Sequence, residues 1–197
     1  MSRAATFNTA EFTVRFVWAA LLKYRQTGAI VPSQRFLIAT MIAPVPEAYT
    51  GHIIELGAGN GALTLRLAQR CPGARILACE INLSLARDLR CNLTNLGMNG
   101  RVEVVADSAE HVLSQLGRRG LAKADYVISG IPIGNLDKER TIALIAAVSR
   151  GLARAGMYIQ FQHSLLDRKK IAARFSNVRT VPVWLNFPPA VVYYAHK

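Results

Sequence analysis

A chain of 197 residues with 51% apolar content has room for one well-filled domain, or one domain with an appendage. Its formal charge of +12 and isoelectric point near 10.3 favour an anionic partner, either nucleic acid or an anionic membrane surface. Composition and pattern exclude several classes: three cysteines at 71, 79 and 91 lack metal-ligand spacing and read as reduced thiols, Glu11 and Arg15 break any secretory signal, and no uncharged apolar run reaches the ~20 residues of a bilayer span.

Residues 9–25 read as a helix. Val14, Val17, Ala20, Leu21 and Tyr24 share one face, while Glu11, Arg15, Lys23 and Arg25 lie on the other half together with Phe12, Trp18 and Leu22. Aromatic and aliphatic groups beside cations suit a water–lipid boundary, so Phe12, Arg15, Trp18 and Leu22 are expected to meet an anionic membrane surface. The plainer alternative is a helix covered on both sides by the loop at 25–34. A second helix is expected over 34–43, stopped by Pro44, and "PVPEAYTGH" reads as a linker. Residues 1–47 thus form an N-terminal helical extension ahead of a domain at 48–197.

From residue 52 a regular alternation begins. Strands are expected at 52–57, 74–80, 101–106, 124–129 and 156–162, with helices at 61–70, 83–96, 108–117 and 138–153 between them. A helix at 164–175 and strands at 178–185 and 189–195 follow, the last two joined by the short Asn186-Phe187-Pro188 connection of an antiparallel hairpin. The expected fold is α/β, a doubly wound, mostly parallel sheet with right-handed crossovers and one reversed edge strand. "DRKKIAARF", 167–175, is either a solvated helix face or a contact for lipid headgroups.

The first strand runs into "ELGAGNG", with Gly57, Gly59 and Gly61 in G-x-G-x-G spacing rather than the G-x-G-x-x-G of dinucleotide binders. Glycines here let backbone approach a ligand closely. The second strand ends in Glu80, 19 residues past Gly61, where a carboxylate can accept from both hydroxyls of a ribose. The third ends in Asp107, followed by Ser108, where a carboxylate can accept from an adenine amino group. Taken singly, Glu55, Glu80 and Asp107 also read as ordinary strand-end caps.

Together these residues resemble the cofactor site of class I methyltransferases that use S-adenosylmethionine. The resemblance implies a Rossmann-like methyltransferase domain at 48–197, Gly57, Gly59 and Gly61 along the methionine part, and Glu55 acting through the glycine loop or on the methionine ammonium. It implies Glu80 at the ribose, Asp107 with Ser108 at the adenine, and Ile81 and Ser129 among the residues that border the cofactor. The product is S-adenosylhomocysteine.

The fourth strand ends in Ser129-Gly130-Ile131-Pro132-Ile133. Adenine N6-methylating enzymes carry Asn- or Asp-Pro-Pro-aromatic here, whose aromatic stacks on the base; this chain has neither the polar head nor the aromatic, so no nucleic acid is expected as acceptor. Ser-Gly-Ile-Pro instead resembles the soluble bacterial phospholipid N-methyltransferases, which convert phosphatidylethanolamine stepwise toward phosphatidylcholine. "TGAIVPSQRFLIATM", "MYIQFQHS" and the terminal "NFPPAVVYYAHK" match that family too, over nearly the whole chain. One departure is Gln162-His163, where that family has Thr-Tyr. The resemblance implies a peripheral enzyme at the inner face of the bacterial membrane, an extension that contacts the membrane and covers the acceptor, and no metal. His163 follows the fifth strand as a candidate general base, with Tyr24 and Ser129 as further catalytic candidates. Tyr24, Arg25 and Arg35 are candidates for the headgroup and its phosphate, and the Gly130 and Ile131 carbonyls for orienting the amine. An rRNA adenine methyltransferase and a non-catalytic cofactor-binding module are the alternative classes.

Overall fold

The structure, a computed structural model, describes residues 34–118 and 123–197. The expected first helix, with Phe12, Arg15, Trp18, Leu22, Tyr24 and Arg25, lies outside the described residues. In chain order the elements are α1 (Gln34–Ile42), β1 (His52–Leu56), α2 (Ala62–Arg70), β2 (Arg75–Cys79), α3 (Leu83–Asn95), β3 (Val102–Val105), α4 (Ala109–Ser114), β4 (Ala124–Ser129), a 3-10 turn (Ile133–Asn135), α5 (Lys138–Gly151), β5 (Leu152–Gln162), α6 (Arg168–Ala172), β6 (Asn177–Val183) and β7 (Ala190–His196).

The strands form one seven-stranded sheet in the order β3-β2-β1-β4-β5-β7-β6. Pairings from β3 to β5 are parallel, and β7 is antiparallel to both β5 and β6. This is the Rossmann-like sheet of class I methyltransferases. The C-terminal hairpin forms as expected, but the reversed strand β7 is inserted between β5 and β6, and the edge strand β6 runs with the parallel set. β7 buries nearly all of "AVVYYAH", whereas β6 alternates exposed and half-buried residues.

Both faces of the central strands are covered, which explains their unbroken apolar runs. Ile53, Ile76, Ile128 and Ile159 point into a core closed by α1, α2 and α3; Ile54, Leu77, Val127 and Tyr158 point into a second core closed by α4, α5 and α6. Leu37, Met41 and Val45 belong to the first core, and the Tyr194 hydroxyl donates to the Thr40 carbonyl at 2.6 Å, so residues 34–45 are packed as a layer of the sheet domain. Helix starts follow local chemistry: Asn82 accepts from the Ser84 and Leu85 amides, Ser108 from His111, and Asp137 from Arg140. The helix expected over 164–175 shrinks to α6 because residues 163–167 form a loop pinned by Asp167, which is buried and takes a 2.6 Å bond from Lys170.

Candidate functional site

Strand register aligns the functional residues. Leu56 lies level with Cys79 and Ser129, and Cys79 with Val105, so Gly57, Glu80 and Gly130 emerge together at the carboxyl edge. Hydrogen bonding continues one residue past the strands: Gly57 and Ala58 donate to the Cys79 carbonyl, Glu80 to Val105 and Gly130 to Leu56. The loops therefore leave a rigid edge at fixed heights.

Gly57, Gly59 and Gly61 have φ of 75°, 58° and 82°, the left-handed region that costs other residues about 1–2 kcal/mol. A Cβ on Gly57 would sit 3.1 Å from Ile131 Cγ1, and one on Gly61 would sit 2.2 Å from Leu89 Cδ1. Gly57 keeps the floor between β1 and β4 open, and Gly61 lets α2 close onto α3. The Asn60 Oδ1 accepts from the Ala62 amide, starting α2.

Glu80 is buried, and its carboxylate holds the turn: Oε2 accepts from the Gly59 amide at 2.7 Å and Oε1 from the Asn82 amide at 2.9 Å. Ile81 beside it is 71% exposed, an apolar side chain left on the surface at the strand end. Asp107 accepts from the Ser108 amide at 2.6 Å and lies 3.7 Å from the His111 ring. The Ser108 hydroxyl is the cap of α4, accepting from the His111 amide.

A cleft runs along this edge, lined by Glu55, Gly57, Ala58, Asn60, Gly130, Phe161 and His163, with α1 (Gln34, Leu37, Met41) on one side and Asn186 and Phe187 on the other. Glu80, Asp107 and Ser108 stand at the neighbouring strand ends, outside its walls. Glu55 is 1% exposed and lines this cleft together with the polar side chains of Gln34, Asn60, His163 and Asn186.

Two acceptor-side expectations need correction. Ser129 is fully buried; its hydroxyl accepts from the Ile131 amide at 3.2 Å and cannot reach a reacting amine. The Ile131 carbonyl accepts from both the Gln160 side-chain amide and the Ile133 amide, each at 2.9 Å, so both its lone pairs are used. Gln160, absent from the sequence argument, organises this region. Fully buried, it also donates to the Phe161 carbonyl at 2.7 Å and accepts from the Tyr158 hydroxyl at 2.5 Å. Burial pushes the Tyr158 phenol well up, so it stays a neutral donor. A glutamine in the middle of an apolar strand was the available signal. Asn186 and Phe187 were missed as cleft residues, although the Asn-x-Pro-Pro-Ala segment was singled out.

His163 Nδ1 lies 2.8 Å from the Pro189 carbonyl, and its ring meets Phe161 edge-on at 5.8 Å. A carbonyl only accepts, so Nδ1 carries the proton and, in the neutral ring, Nε2 carries the lone pair. Arg35 is exposed on α1, its guanidinium 4.7 Å over the Phe36 ring, away from the cleft walls.

A doubly wound sheet whose first strand ends in a left-handed glycine turn, with carboxylates at the ends of β1, β2 and β3, defines a class I methyltransferase. The chain belongs to the methyltransferase small domain family, which it matches over residues 29–186. It is an S-adenosylmethionine-dependent methyltransferase. An ornithine lipid N-methyltransferase of Singulisphaera acidiphila is 30% identical over 169 residues, covering 85% of this chain and 86% of that protein. A ribosomal RNA large subunit methyltransferase of Aliivibrio salmonicida is 36% identical over 70 residues, 34% of this chain and 18% of that protein. In structure, a T. thermophilus 16S rRNA methyltransferase solved with AdoMet and guanosine superposes with a TM-score of 0.66 at 24% identity, over 87% of this chain and 44% of that one.

Proposed function

We propose that this methyltransferase acts on the amino nitrogen of a membrane aminolipid, at the inner face of the bacterial membrane. One observation carries the reading: the relationship to an ornithine lipid N-methyltransferase runs nearly end to end in both chains, whereas the match to the rRNA enzyme covers a third of this one. Phosphatidylethanolamine, suggested by the sequence resemblance, and an ornithine lipid are the two headgroups to compare. The absence of an aromatic after Pro132 argues against a stacked base as acceptor.

The residues fit the cofactor by the chemistry of their donors and by the space the glycines leave. In this reading Glu55 takes the ammonium of the methionine part in the cleft, and Gly57 and Gly59 leave room for it. Glu80 keeps lone pairs for the ribose hydroxyls after holding the turn. Ile81 offers an apolar face and Asp107 an acceptor to the adenine. When bound, S-adenosylmethionine supplies an electrophilic methyl group and a leaving sulfide that needs no proton. The protein then has two tasks: to align the amine in a water-poor cleft, and to remove its proton. His163, with its ring held by the Pro189 carbonyl beside the cleft, serves as the base. The Gly130 carbonyl orients the amine, and the exposed Phe187 ring offers a face to its cationic form. On the sequence argument, Tyr24 and Arg25 serve the headgroup, Arg35 reaches its phosphate from α1, and the 9–25 segment rests on the bilayer.

Radiolabelled S-adenosylmethionine is incubated with the protein and either phosphatidylethanolamine vesicles, ornithine-lipid vesicles or rRNA. Label in a lipid phase is expected; label in RNA, or binding without transfer to any of the three, overturns the reading.

A further inference from the structure

Two loops at the carboxyl edge are apolar and open to solvent. Leu165 and Leu166 follow β5, and Trp184, Leu185 and Phe187 form the β6–β7 turn; Leu166, Trp184 and Phe187 are 85%, 76% and 84% exposed. Because β6 runs with β5, both loops rise from the same edge. They are tied together: His163 bonds the Pro189 carbonyl at 2.8 Å, and the Tyr193 hydroxyl donates to the Ser164 carbonyl at 2.8 Å. Phe187 and His163 also line the cleft, so the apolar rim is continuous with its mouth.

Exposed large apolar side chains clustered on two loops mark an interaction surface. Charge selects the occupant. Arg168 and Lys169 stand exposed next to Leu165 and Leu166. Within the two loops the sole acid is Asp167, buried and neutralised by Lys170, which leaves Arg168 and Lys169 as the exposed charges at the end of the β5–α6 loop. Tryptophan, leucine and phenylalanine backed by the exposed Arg168 and Lys169 match an anionic bilayer surface, where rings settle at headgroup level and each cation gains from the surface potential.

We infer that the β5–α6 loop and the β6–β7 turn form a membrane-docking rim, inserting Leu166, Trp184, Leu185 and Phe187 into an anionic leaflet so that the cleft opens onto the headgroups. The rim rests on the reading of the acceptor as a membrane lipid, and is separate from the contact expected of residues 9–25. It places the cleft mouth at headgroup depth, so a lipid amine reaches it with the acyl chains still in the bilayer.

Trp18 and Trp184 are the two tryptophans, so the full-length Trp18→Phe protein reports on Trp184 alone. It is titrated with phosphatidylglycerol–phosphatidylcholine vesicles carrying brominated acyl chains. A blue shift and bromine quenching of Trp184 are expected. In parallel, Leu166→Asp with Leu185→Asp is expected to weaken co-sedimentation with the same vesicles at least about tenfold while cofactor binding is unchanged. Trp184 emission untouched by vesicles, or co-sedimentation of the double variant equal to the parent, overturns the rim. So does emission already blue and iodide-resistant without lipid, which would mean that a second copy or the N-terminal segment covers it. Methyl transfer to phosphatidylethanolamine and ornithine lipid in detergent micelles is measured separately. Transfer without Trp184 insertion sinks the rim alone, and insertion without transfer sinks the acceptor reading alone.

Discussion

Glu80 joins the turn to the ligand site. Its two oxygens each accept one backbone amide, from Gly59 and Asn82. Glu80→Gln replaces one oxygen by a donor that must face an N–H. The expected result is cofactor affinity lowered about tenfold or more by calorimetry, with a stability loss of roughly 1–3 kcal/mol; unchanged affinity would remove Glu80 from the binding argument. Gly61 has a purely steric role. With φ at 82° and Leu89 Cδ1 2.2 Å from a Cβ, Gly61→Ala combines left-handed strain with overpacking. A loss of roughly 2–4 kcal/mol in urea unfolding is expected. At His163 the discriminating readout is a pH–rate profile. A free alkyl ammonium titrates near ~10, so without a base the rate climbs with pH as the amine loses its own proton. His163→Ala is therefore expected to lose most turnover near about pH 7 and to approach the parent as pH rises. Parallel profiles would exclude proton transfer through His163.

At the scale of elements, legibility followed burial on two faces. β1, β2 and β4 are apolar runs ending in glycine or a polar residue, and the periodicity placed each within a residue or two. The carboxylates at 55, 80 and 107 were legible because each stands at or beside the end of such a run. Strand order at the C-terminus was not legible from alternation, since a hairpin pattern does not say which arm joins the sheet. Pro182 carried the answer: a proline has no N–H to give a ladder, which suits β6 to the edge, where that side can face solvent, and leaves β7 inside. The roles given to Ser129 and Ile131 failed for a related reason. A sequence shows which groups sit near a strand end, not whether their lone pairs are already taken by a residue such as Gln160, 29 positions on from Ile131. Gln160→Met tests that network. It removes the acceptor of the Tyr158 hydroxyl and the side-chain donor to the Ile131 and Phe161 carbonyls, so roughly 2–4 kcal/mol of stability is expected to go, with activity falling as the 130–133 loop relaxes. Adding Tyr158→Phe removes the hydroxyl that lost its Gln160 acceptor and is expected to restore part of the loss; a double variant no better than Gln160→Met would show that the hydroxyl is indifferent to that acceptor.

At the scale of the whole molecule, the described tyrosines Tyr49, Tyr126, Tyr158, Tyr193 and Tyr194 are all pushed up, chiefly by burial. Tyr193 moves from 10.0 to about 12, raised first by burial and then by the Asp167 carboxylate, with Arg168 opposing. The folded chain thus holds phenol protons that the unfolded chain releases near pH 10. Stability from this source is complete below the unfolded value and is lost as pH rises toward the folded one. Over the same range lysines discharge and the net charge of +12 shrinks, so self-repulsion weakens and would by itself favour the fold. The two effects have opposite signs, which makes the experiment decisive. The urea midpoint is expected to hold to about pH 9.5 and to fall between about pH 10 and 12, with tyrosinate absorbance appearing together with unfolding. Tyr193→Phe removes one of the retained protons, so its midpoint is expected to fall less steeply than the parent's over that window. A midpoint that rises above about pH 10, or a variant with the parent's slope, would assign the alkaline limit to charge rather than to the buried phenols.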